Sequence, residues 1–123
     1  MTNNPVGWFE IYVQDMKRAK AFYESVFGVQ FTKLDSPEID MWAFPMDPER
    51  SGASGALVRM PDFSSGANSV LPYFSCTDCA AEAAKAERSG GKVEKPKFSI
   101  GQYGYISLIR DTENNMIGLH SMQ

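Results

Sequence analysis

A chain of 123 residues with 43% hydrophobic and 22% charged residues has an ordinary globular composition and the length for one domain with a sizeable core. Its formal net charge of -3 and lack of a Lys/Arg cluster offer no basic field for phosphates, which excludes a nucleic-acid partner. No apolar run approaches the roughly 20 residues that span a bilayer, and MTNNPVGWF lacks the basic-then-apolar order of a secretory signal. The expectation is a cytoplasmic protein with no membrane partner.

In chain order, GWFEIYVQD (7–15) alternates as a strand. Trp8, Glu10 and Tyr12 share one face, and Phe9, Ile11 and Val13 the other. Asp15 caps a helix whose buried stripe is Ala19, Phe22, Tyr23, Val26 and Phe27, and Gly28 ends it. VQFTKL, IDMWAFP and ASGALVRM read as three strands, the last two joined by a turn over Asp47–Gly52. MPDFSSGANS reads as a linker, assigned to 61–69. VLPYFSC is a strand, Asp78 a cap, and CAAEAAKAERS a small-faced helix stopped by Gly90-Gly91. KVEKPKF, YGYISLIR and NMIGLHSM give three more strands, with a turn over Asp111–Asn115. Lys95–Gly104 is flexible and aromatic enough for a lid, although most such loops only connect.

The second half repeats the first. Asp15 and Asp78 lie 63 residues apart, as do Gly28 and Gly91, and the two turn aspartates Asp47 and Asp111 lie 64 apart. Such a period marks a supersecondary repeat. Module one (6–60) and module two (70–122) each have too few apolar residues to close a core alone, so they should pair within one domain, 1–123. The expected fold is α+β, with two tandem βαβββ modules forming curved sheets around a cleft and helices outside.

Cys76 and Cys79 form a C-x-x-C, which raises a redox or metal reading. A zinc site needs about four ligands, and the chain has one histidine and no second cysteine pair. With Asp78 as cap, Cys76 belongs to the preceding strand rather than to a helix amino terminus, where a thiolate would be stabilised. Two small residues at a strand–helix junction is the simpler account.

DMKRAKAFYESVFG resembles the helical opening of the vicinal oxygen chelate superfamily, which includes glyoxalase I, extradiol dioxygenases and bleomycin-binding proteins. DTENNMIGLHS resembles its final turn and strand. W-F-E-I and I-G-L-H look like the branch related to lactoylglutathione lyase. The resemblance implies a homodimer, and for most members a divalent metal held by four inward strand positions. Carried over one at a time, those positions fall on Trp8, on Gly55 or Ala56, on Leu71 and on Gly118. None of these side chains coordinates a hard or borderline metal, so the expectation is no metal, no other cofactor, and no transfer of the metal-dependent chemistries.

What remains is Glu10, between two aromatics beside a vacated ligand position. Partial desolvation there would suit a general acid or base; equally, Glu10 could be a structural partner of Arg59 or Arg110. His120 shares a face with Gly118 and normally titrates near neutrality, so Glu10 and His120 are the candidate catalytic pair. Trp8, Tyr12, Trp42, Tyr73, Tyr103 and Tyr105 are candidates to stack a flat ligand, or simply to fill space. Three readings follow. The first is a metal-free small-molecule binder with an aromatic cleft. The second is a metal-independent lyase or isomerase acting on a small carbonyl compound, with Glu10 working alongside His120 or a tyrosine. The third is a structural or regulatory dimer with a collapsed cleft.

Overall fold

The structure, a computed structural model, describes every residue except 1–3, 5, 7, 37, 38 and 69. Gly7 of the expected first strand and Ser69 of the expected linker therefore lie outside the described residues. The first half contributes β1 (Phe9–Tyr12), α1 (Met16–Phe27), β2 (Thr32–Lys33), β3 (Asp40–Ala43) and β4 (Gly55–Arg59). The second contributes β5 (Tyr73–Ser75), α2 (Cys79–Arg88), β6 (Lys92–Ser99), β7 (Tyr105–Arg110) and β8 (Met116–Ser121). The sheets have the same plan, β1-β4-β3-β2 and β5-β8-β7-β6, each with its first strand parallel to its last. This is the α+β arrangement of two βαβββ units.

Local chemistry sets the helix ends. The Asp15 carboxylate accepts from the Arg18 amide at 3.0 Å, and that of Asp78 from the Ala80 amide at 3.0 Å, each satisfying a first-turn donor. Gly28 closes α1 at φ 66°, its amide bonded to the Glu24 carbonyl, in the left-handed conformation that glycine adopts without a Cβ penalty. The small faces of α2, Ala83 and Ala86, are buried, and α2 packs against α1.

Both helices lie on one side of the sheets. Ile11, Leu57, Ile109, Ile117 and Leu119 join Phe22, Tyr23 and Val26 of α1 in a single core. Phe74 of β5 seams the halves together: it stacks on Phe27 at 4.5 Å and meets Phe9 edge-on at 6.1 Å. Pairs of this geometry add roughly 0.5–1.5 kcal/mol beyond burial. No helix among the described residues is long and apolar enough to cross a membrane.

Of the two readings that overlap at Lys95–Phe98, the strand KVEKPKF holds and the lid loop shrinks: β6 runs on to Ser99, and only Gly101–Tyr103 forms a short 3-10 turn. Pro96 lacks an amide for the ladder, and the register against β7 shifts on both sides of Lys95. Such an irregularity is where a strand tolerates proline.

Candidate functional site

Strand alternation places Glu10, Tyr12, Ala56 and Val58 on the face of the first sheet opposite the helices, because Glu10 pairs with Ala56 and Tyr12 with Val58. Trp8 joins them from just before β1. Its indole Nε1 donates to Glu10 Oε2 at 3.3 Å, and the Tyr12 hydroxyl donates to Glu10 Oε1 at 2.9 Å. The hydrogen bond to Glu10, then partial burial, then repulsion from the Glu10 charge push the Tyr12 hydroxyl pKa up, so Tyr12 remains a donor at neutral pH. Neither arginine weighed for Glu10 reaches it. Arg59 Nε donates to the Gln14 carbonyl at 3.1 Å, and Arg110 is held by Glu94 and the Asn114 carbonyl.

A cavity of about 260 Å³ opens beside Glu10 at the seam between β1 and the start of β8. Phe9, Ile11, Met116 and Ile117 supply apolar wall from the strands. Ser64, Gly66, Ala67 and Asn68 add wall from the segment read only as a linker, and Val70 and Pro72 from the start of the VLPYFSC stretch read as a strand. Phe63 of that segment stacks on Tyr12 at 5.0 Å. Sequence reading missed this wall because Asn68 is held by the Met116 backbone, 48 positions away. Only the density of Ser, Gly and Asn hinted at a built turn.

The other candidates divide. Tyr73 and His120 lie on the matching face of the second sheet, since Tyr73 pairs with Gly118, and Ser75 and Ile106 pair with His120. His120 Nε2 donates to the Tyr103 carbonyl at 2.7 Å. It sits four residues along β8 from Met116 of the cavity wall and does not line the cavity, and no hydrogen bond joins it to Glu10, whose partners are Trp8 and Tyr12. Tyr103 is an exposed ring on the 3-10 turn. Trp42 and Tyr105 face the helix side instead: Trp42 carries Lys20 Nζ 3.2 Å above its ring, and Tyr105 carries Lys97 Nζ at 4.8 Å. These are cation–π contacts at the edge of the core. Free Cys79 is fully buried, and burial, then the Glu82 charge, push the Cys76 thiol up to about 12. Neither is an activated nucleophile.

The four positions that the resemblance assigned to a metal do not fit one. Gly55 needs correcting: a Cβ there would strike the Phe9 carbonyl and ring, so it points to the helix side, and Ala56, paired with Glu10, holds the outward place. Ala56 and Leu71 end in hydrocarbon. Trp8 presents only an N–H, already given to Glu10. At Gly118 the Tyr73 ring occupies the space where a side chain would start. Among the described residues no group of three His, Cys, Asp or Glu comes together elsewhere.

Comparison with known proteins places this geometry. The family model of the Glyoxalase/Bleomycin resistance protein/Dioxygenase superfamily matches residues 6–119. The CFP32 proteins of Mycobacterium bovis and Mycobacterium tuberculosis, which carry a provisional glyoxylase name, are 30% identical over 118 residues. The match covers 92% of this chain and 44% of theirs, so the chain spans about half the length of these curated relatives. Among solved structures, a V278E glyoxalase I from Zea mays superposes with a TM-score of 0.76 at 19% identity, over 96% of this chain and 46% of that one. TnmS3, an antibiotic-binding protein from Streptomyces sp. CB03234, does so with 0.69 at 24% identity and 98% of both chains. At these identities the structures share the fold alone.

Proposed function

The chain belongs to the Glyoxalase/Bleomycin resistance protein/Dioxygenase superfamily, and on that premise we propose that it binds a small molecule on the Glu10 face without a metal. One observation carries the reading: a carboxylate held between Trp8 and Tyr12 borders an apolar cavity, while the ligand positions inherited from the family bear no metal donors. The cavity speaks against a collapsed cleft. The location and engagement of His120 give proton transfer by a Glu10–His120 couple less support. Trp8, Tyr73, Val70 and Met46 are large apolar side chains left exposed, which supports a second copy of the chain as the partner that covers them. TnmS3, by its name, binds an antibiotic; for this chain only the general class, a small molecule with an aromatic or apolar body, is proposed.

The test is a thermal-shift screen of small aromatic and carbonyl compounds with and without EDTA, together with elemental analysis of the purified protein. A ligand at a hundred times its Kd should stabilise by about 2.7 kcal/mol, and EDTA should leave that shift unchanged. Stoichiometric bound metal, or a screen in which no compound stabilises, overturns the reading.

A further inference from the structure

We infer that the ligand of this cavity is a small organic cation, an amine with an apolar body; the inference rests on the binding reading above and adds the ligand's charge. Among the described residues Glu10 is the one acidic side chain in the cavity wall, and no Lys, Arg or His lines it. Among the described residues Glu10 is in no ion pair, since each salt bridge joins other groups. Its two partners, the Trp8 N–H and the Tyr12 O–H, are neutral. They orient the carboxylate and leave its charge uncompensated. A carboxylate accepts about four hydrogen bonds, so capacity remains for an incoming donor.

The two asparagines of the wall are already engaged. The Asn68 amide donates to the Val70 and Met116 carbonyls, and its oxygen accepts from the Met116 amide. The Asn115 amide donates to the Tyr12 carbonyl and to Asp111, and its oxygen accepts from the Gly66 amide. Glu10 and the Ser64 hydroxyl are what the wall offers a ligand. An ammonium meets that demand two ways: it neutralises the charge, and it donates to the free lone pairs of the carboxylate. A carboxylate or phosphate ligand would be repelled.

Three probes of one skeleton separate the terms: 2-phenylethylamine, 2-phenylethanol and phenylacetate, titrated into the whole protein and followed by NMR shifts of cavity residues. The amine should bind about tenfold tighter than the alcohol, the scale of one charge-assisted hydrogen bond, and phenylacetate more weakly than either. Glu10→Gln should abolish the preference, bringing the amine to the alcohol's affinity in that variant. Added salt should weaken only the amine in the unmodified chain, a control that needs no variant. Equal affinities, or a preference for phenylacetate, overturn the cation while leaving a small-molecule binder in place. If no probe shifts cavity residues and the wider screen also finds no ligand, the binding reading falls and takes this inference with it.

Discussion

The two halves share a plan, and their final hairpin turns show how differently one plan can be finished. In the second half the turn from Asp111 to Asn115 grips the first half. Glu113, its side chain fully buried, accepts from the Gln14 and Asp15 amides at 2.8 Å each and from Arg18 Nε at 2.7 Å. Asp111 takes the Tyr23 hydroxyl at 2.7 Å, and Asn115 holds the Tyr12 carbonyl. In the first half, Asp47–Gly52 is exposed and Asp47 bonds only within its own turn. Between that turn and β5 lies an open groove of about 770 Å³. The fold needs the turns for connection; it is the side chains that make one of them a clamp.

Breaking the clamp should cost most. Glu113→Ala strands two backbone amides and Arg18, and should lower stability by about 2–4 kcal/mol in urea denaturation; a change near zero would mean that the modules are held by the aromatic seam alone. Tyr23→Phe removes one hydroxyl from a buried carboxylate and should cost about 1–2 kcal/mol. The pH dependence sharpens the contrast further. Burial alone would raise the Glu113 pKa, but Arg18 and the Asp15 and Gln14 amides outweigh it and hold it below the ordinary glutamate value. A carboxylate held low stabilises the fold above its unfolded pKa, and that contribution is lost as pH falls through the folded value. Asp111 has the opposite sign, because burial outweighs its hydrogen bonds and raises its pKa, but it contributes equally to both proteins in a comparison with Glu113→Gln. The stability gap between wild type and Glu113→Gln should therefore stay level at neutral pH and narrow below about pH 4.3; a gap independent of pH would contradict this assignment. Smallest of all, Glu49→Ala in the open turn should leave the urea midpoint where it was.

What could be read from the sequence was what is local. Asp15, Gly28 and Asp78 announce helix ends through bonds spanning two to four residues, and β1 shows its two faces because its apolar residues alternate. IDMWAFP does not, since it carries large apolar groups on both sides. Trp42 goes to the helix side because Phe44, two residues on, is buried in the core. Tyr105 follows Ser107, whose polarity disguised a fully buried position bonded to the Lys95 carbonyl. The clamp was legible only as a turn, because its bonds join residues 88 to 103 positions apart. The Trp8–Glu10–Tyr12 face was legible in full, yet its cavity was not, because the opposing wall comes from the next module and the segment between.

Tyr73 lying on Gly118 also couples two positions. A carboxylate placed at 118 would begin its side chain inside the Tyr73 ring, so Gly118→Glu requires that Tyr73 shift. The position that would donate to a metal and the half-exposed ring at 73 therefore compete for one space, and a donor regained at 118 would show itself by turning Tyr73 outward.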